Sequence, residues 1–368
     1  MKKINSISYA GRFFRILPLI ALFMLSAIPV FPCSSFFLKN GEQMVFGKNY
    51  DWHLEFGYLM INKRGVAKTA MQAGTTTDSP ATWTSRYGSV TFNQYGREFP
   101  MGGVNEAGLA IEVMMLHETE YPMPDSRPVI KNLQWVQYQL DRFRTVEELL
   151  AGLSLVRIPP LETYGLHYFA CDKTGQCASI EFLKGRTVIH TQETLPVPVL
   201  TNSTYRNSLS FFKQAGAHAA GDLQVGIGSL DRFARAAGLI QAFNPKKSGS
   251  LLDYASSILK SVAMGAYTKW SIIYDLRNER VYFKTLSKPE LKFVDLRAID
   301  FSCGTPVRAL DLNLNAAGNV HTSFGNYTRP MNYELIKKAL KQTNLHTNDS
   351  DELIRFRAAY PESTRCSN

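Results

Sequence analysis

Residues 30–52 read VFPCSSFFLKNGEQMVFGKNYDW. Two apolar runs, SSFFL and MVFGKNYDW, flank the turn residues NGEQ, the pattern of two strands joined by a tight hairpin turn. A cysteine, Cys33, stands directly before the first run. Upstream of it, residues 1–32 carry Lys2, Lys3, Arg12 and Arg15, no acid, and an apolar stretch over 16–31 broken by Pro18 and Pro29. A basic start with a short apolar core is the layout of a secretory signal. A membrane anchor wants about 20 uninterrupted apolar residues, which the prolines deny. Ser26 and Ala27 are small enough for a signal-peptidase site and Pro32 is not, so a short pro-segment over 28–32 is expected to outlast the first cut. The expectation is an exported protein, periplasmic or secreted, with 1–32 removed, no membrane attachment afterwards, and 33–368 forming one catalytic domain.

The whole chain has a formal charge of +10. Losing the four N-terminal cations leaves about +6, spread thinly. No basic run or aromatic ladder points to nucleic acid. With 45% hydrophobic and 20% charged residues the composition is that of a globular chain able to bury a large core. No repeat or low-complexity tract divides it, and one large layered domain fits the length. Self-association into a homo-oligomer is left open.

Working outward from the hairpin, GYLMIN, SVTFNQY and GLAIEVMML read as strands, separated by a Thr-rich loop at 74–85. NLQWVQYQLDRF has helical spacing, and Thr145 with Glu148 three residues on caps a second helix, VEELLAGL. Strands return at LHYFA, ASIEF, TVIHT and VPVLTN, then helices at SLDRFARAAGLIQAF and LLDYASSILKSVA, then the strand pair TKWSIIYDL and RVYFKTL. Strands and helices in separate blocks indicate an α+β fold of stacked antiparallel sheets flanked by helices.

Several chemistries lack their signatures: no GxSxG, no HExxH, no P-loop and no CxxC zinc pattern occurs. GGVNEAG at 102–108 reads as a turn before a strand. Seven scattered histidines show no metal spacing. Cys33 differs because cleavage would make it residue one. An α-amine titrates at about 7.7–8.0 and a thiol at about 8.5, so a terminal cysteine would carry nucleophile and general base together. An inert buried cysteine is the bland reading, and Val30-Phe31-Pro32 lacks the small residue that a lipidated cysteine needs. Of the other four cysteines, Cys171 and Cys177 flank DKTGQ, a turn signal, and either bridge a hairpin or stay unpaired. In an exported setting Cys303 and Cys366 could form a second bridge.

The ordered set CSSF, FGKNYDW, GGVNEAGLAIE, VLTNS, GSLDRFARAA and TKWSIIYDL resembles the choloylglycine hydrolase and penicillin V acylase family, cysteine members of the N-terminal-nucleophile hydrolases. The resemblance runs from Cys33 to about Thr285. It implies an αββα four-layer sandwich, self-processing to a free Cys33, hydrolysis of a small acyl amide at a linear, non-peptide C–N bond, and no metal or organic cofactor. By position it makes Cys33 the nucleophile, Asp51 an acceptor for the nucleophile's amine and thiol, Asn202 an oxyanion donor, and Arg232 a cation supporting the nucleophile's charge state. Taken singly, Asp51 could be a turn cap, Asn202 a loop residue and Arg232 a helix-surface cation. Two supporting positions depart from the family. Lys48 replaces a common arginine and loses its planar fork. Met115 stands where many members carry Asn or Tyr, and its side chain cannot donate to an oxyanion. Glu112, an acid among apolar neighbours, is expected to pair with Lys48 or Arg232. These departures leave the acyl amide unspecified and motivate one alternative, a non-catalytic exported binding protein with the same fold. Asn202 also begins a glycosylation sequon, as do Asn326 and Asn348, and a bacterial source would leave it bare.

Overall fold

The hairpin quoted above forms where its turn residues place it. In the computed structural model, which describes residues 32–72, 78–160, 162, 164–216, 226–343 and 350–367, β1 (Ser34–Asn40) and β2 (Gln43–Asp51) pair antiparallel from Ser34↔Asn49 to Asn40↔Gln43. Gly41 takes φ of 58°, the left-handed conformation that this two-residue turn requires. The export signal expected over 1–32 lies, apart from Pro32, outside the described residues, as do Asn348 and part of the Thr-rich loop.

The chain continues through β3 (Tyr58–Asn62), β4 (Val66–Thr69), β5 (Thr82–Thr84), β6 (Ser89–Asn93), β7 (Pro100–Asn105) and β8 (Leu109–Met115) to helices α1 (Asn132–Arg142) and α2 (Val146–Ala151). Thr145 caps α2 as expected, its hydroxyl accepting from the Glu148 amide at 3.1 Å. Next come β9 (Leu166–Asp172), β10 (Cys177–Leu183), β11 (Arg186–Thr191) and β12 (Val199–Leu200), then α3 (Tyr205–Ala215), α4 (Ser229–Ala242), α5 (Leu251–Ser261), β13 (Thr268–Asp275) and β14 (Arg280–Thr285). The C-terminal part adds β15 (Lys292–Asp295), β16 (Arg308–Asp311), β17 (Gly318–Asn319), β18 (Gly325–Asn326), α6 (Arg329–Gln342), α7 (Asp351–Ala359) and β19 (Arg365–Cys366).

Two large sheets result, in the orders β12-β1-β2-β13-β14-β15-β17 and β11-β10-β9-β8-β7-β6-β3-β16-β18, with a small third sheet β19-β4-β5. Helices α4 and α5 pack on the first, α1 and α2 on the second. This is the expected α+β arrangement of two sheets with flanking helices. Aromatic side chains join the two inner faces: Phe46 meets Phe169 edge-on at 5.4 Å, and Phe92 lies 6.2 Å from both Trp270 and Tyr274. Such pairs contribute about 0.5–1.5 kcal/mol each beyond the area they bury.

Two expectations need correcting. The stretch 74–85, read as a Thr-rich loop, contains β5, paired with β4. The GGVNEAG reading is the other. Gly102 to Asn105 of GGVNEAG belong to β7, and the turn starts only at Glu106. The glycines are there for close packing, since a Cβ on Gly102 would collide with the Glu112 carboxyl and one on Gly103 with the Val90 carbonyl at 2.6 Å. Strands β4 and β5, helix α3 and every element after β14 were not anticipated.

Both cysteine bridges form. Cys171 and Cys177 face each other across β9 and β10, Cys303 joins Cys366 of β19, and Cys33 is left free and buried. Denatured without reductant, the mature protein should therefore show one reactive thiol; five would contradict the pairing. Opening Cys303–Cys366, 63 residues apart, should lower the unfolding free energy by up to about 4 kcal/mol, read from denaturant midpoints.

Candidate active site

Strand pairing brings four separate segments to Cys33. Ser34 pairs with Asn49, so β2 carries Lys48 and Asp51 alongside the cysteine. On its far side β2 pairs with β13, setting Thr268 opposite Asp51. At the other edge β12 pairs with β1 through Ser35↔Leu200, and the chain leaving β12 delivers Asn202. Arg232 enters from the first turn of α4 and is buried, not on the helix surface.

The contacts are dense. Arg232 Nη1 donates to the Cys33 carbonyl at 2.5 Å and to Ser34 Oγ at 2.6 Å, while Nη2 donates to Asn202 Oδ1 at 3.0 Å. The same Oδ1 accepts from the Cys33 main-chain nitrogen at 2.5 Å. Asn202 Nδ2 donates to the Met115 carbonyl at 2.9 Å, and the Asn202 amide to Ser229 Oγ at 2.8 Å. Two donors on one side and a carbonyl on the other fix the orientation of the Asn202 amide. Its NH2 group keeps a second hydrogen beyond the one given to Met115. Met115 thus takes part through its carbonyl, whatever its side chain lacks.

Asp51 is fully buried. Thr268 donates to its Oδ1, and its Oδ2 has no partner among the described residues. Burial raises the Asp51 carboxyl to about 6, against the lowering effects of the Thr268 bond, Arg232 and Lys48. The Cys33 sulfur sits 4.0 Å from the Asp51 main-chain oxygen. Burial also pushes the Cys33 thiol up, opposed by Lys48 and Arg232.

Behind these groups lies a second buried set. Lys48 Nζ donates to the Val113 carbonyl at 2.5 Å and lies 3.7 Å from Glu112 Oε2, while Tyr274 donates to Glu112 Oε1 at 2.5 Å. Of the two partners expected for Glu112, the structure supplies Lys48. Burial raises the Glu112 carboxyl to about 7, with Lys48 pulling it back. Among the described residues no group of three or more His, Cys, Asp or Glu could hold a metal ion.

Four contributors went unread in the sequence: Ser34, Thr268, Ser229 and Tyr274. Ser229 had a signal, standing three residues before Arg232 on the same helical face. Thr268 and Tyr274 had none, because only their place on β13 brings them to Asp51 and Glu112.

Comparison with known proteins gives the family and the fold. Residues 33–309 match the family model of linear amide C–N hydrolases, choloylglycine hydrolase family. The penicillin V acylase of Pectobacterium atrosepticum is 31% identical over 277 residues, 63% of this chain and 73% of that protein. The structure of penicillin V acylase from Agrobacterium tumefaciens superposes with a TM-score of 0.68 at 26% identity, covering 80% of this chain and 98% of that one. Conjugated bile acid hydrolase from Clostridium perfringens shares the fold, with a TM-score of 0.64 at 19% identity over 78% of this chain and 100% of that one. The matched segment begins at Cys33 itself, and the chain belongs to the choloylglycine hydrolase family, whose members are hydrolases of linear amide C–N bonds.

Proposed function

We propose that the protein is an exported amidohydrolase that frees its own Cys33 terminus and cleaves a small acyl amide through a thioester on that cysteine. One observation carries this reading. The nitrogen of Cys33 is held by the half-buried Asn202 and its carbonyl by the buried Arg232, while a buried Asp51 oxygen has no partner among the described residues. An unpartnered carboxylate oxygen in a dry site is costly unless a donor arrives. The amine released at Cys33 would be that donor.

The chemistry follows from the parts. While Pro32 is attached, the Cys33 nitrogen is an amide without a basic lone pair. Once free, the amine takes the thiol proton and the sulfur attacks the substrate carbonyl. The second hydrogen of Asn202 Nδ2, with a main-chain amide, meets the developing oxyanion. Collapse expels the substrate amine, which collects the proton from the Cys33 ammonium and leaves the acyl group on sulfur. Water, deprotonated by the same amine, then releases the acid. Asp51 holds the amine and Arg232 holds the Cys33 carbonyl, so the attacking geometry is set before substrate binds.

Lys48 and Met115 bear on which acyl amide is used. Lys48 spends its hydrogen bond on Val113 and its charge on Glu112, so it offers no fork toward substrate. A panel of acylated amino acids, bile conjugates, penicillin V and N-acyl homoserine lactones separates the hydrolase from a binding protein of the same fold. No turnover on that panel with a confirmed Cys33 terminus would favour the binder.

Three outcomes are expected. Mass spectrometry of the secreted protein should find Cys33 as its first residue, and Cys33→Ala should retain upstream residues and be inactive; a fully active chain beginning before Cys33 would overturn the reading. Asn202→Ala should lower kcat about a hundredfold or more, as for loss of one oxyanion donor, and an unchanged kcat would remove Asn202 from the site. The third concerns pH. Asp51 must be ionised to hold the amine, and burial raises its carboxyl to about 6, so kcat/KM should keep falling as the pH drops through that value. Thr268→Val deletes a bond that lowers the Asp51 value and should move that limb upward; an unmoved limb would exclude Asp51.

A further inference from the structure

His167 and Glu181 are fully buried, one on β9 and the other on β10. The chemistry above uses neither. Burying an imidazole and a carboxylate together is expensive, and packing alone would be served better by apolar side chains. Their contacts show where they act. His167 Nε2 lies 2.7 Å from the carbonyl oxygen of Thr201, and Nδ1 lies 3.2 Å from Glu181 Oε1. That same Oε1 accepts the main-chain N–H of Tyr205 at 2.8 Å.

Thr201 and Tyr205 bracket the turn that carries Asn202. The Thr201 carbonyl and the Asn202 amide belong to one peptide unit. Its oxygen faces His167, and its N–H donates to Ser229 Oγ at 2.8 Å. The peptide plane is therefore tied at both ends, by groups from the second sheet and from α4. A carbonyl only accepts, so Nε2 must carry the hydrogen. The Nδ1 contact with Glu181 then holds the imidazole ring in that orientation.

We propose that His167, oriented by Glu181, is a positioning residue for amide hydrolysis: it locks the Thr201–Asn202 peptide plane and so sets Asn202 between Cys33, Arg232 and Met115. The inference rests on the proposed role of Asn202. It predicts an effect on kcat with little effect on KM, because no substrate contact is removed.

The test compares His167→Gln, whose amide nitrogen can reach the Thr201 carbonyl, with His167→Asn, which is too short, each normalised to Cys33 active sites titrated with a thiol reagent. His167→Asn should lower kcat about tenfold to a hundredfold, in line with the effect of small misplacements of reacting groups, and His167→Gln should stay within about threefold of the parent. In an Asn202→Ala background His167→Asn should cost nothing further. Equal kcat per titrated site for the parent and His167→Asn, or the same loss in both backgrounds, would overturn the inference while leaving Asn202 in place. No loss on Asn202→Ala alone would remove the assignment of Asn202 and this inference with it.

Discussion

The site depends on one buried cation. Arg232 gives hydrogen bonds to the Cys33 carbonyl, to Ser34 and to Asn202, and so ties the start of β1, the turn after β12 and the first turn of α4 into one unit. A planar fork can serve acceptors on different segments at once, which a lysine ammonium at the same place could not do with the same geometry. Burial disfavours the charge and draws the Arg232 value down, while Asp51 is the largest influence in the other direction. Deleting the guanidinium would strand two buried oxygens, each at about 1–3 kcal/mol.

Other charges near that cation are Asp51 and the ion pair of Lys48 with Glu112. Asp51 lies on the side of β2 that faces Cys33, and Lys48 with Glu112 and Tyr274 forms the layer behind. Glu112 sits against Gly102, where no side chain could be accommodated, so the glycine in β7 and the ion pair are one feature. Lys48 puts a positive charge near the sulfur while its hydrogen bond goes to a main-chain carbonyl.

Local features of the fold could be read from the sequence because they are encoded within a few residues. The hairpin at Asn40-Gly41, the Thr145 cap and the helices α1, α4 and α5 all have short-range signals. Cys33, Asp51, Asn202 and Arg232 were legible only as an ordered set, each being ambiguous alone. Thr268 reaches Asp51 through a register that shifts between Thr268 and Trp270, a detail that no periodicity reveals. His167 read as one scattered histidine among seven, since its partners lie 14 residues away on β10 and 34 residues away in the turn after β12. The two-residue strands β17 and β18 are defined by pairing alone, whereas α6, with Thr328 as its cap and Pro330 in its first turn, carried ordinary signals.

The central claim is that the Cys33 sulfur forms the bond to the acyl group. Because the other four cysteines are bridged, alkylation of the native protein reports on this one atom. Activity should decline in proportion to the fraction of Cys33 alkylated by iodoacetamide, followed by peptide mass spectrometry, and reach zero at one equivalent per chain. Turnover that persists in fully alkylated protein would contradict the account.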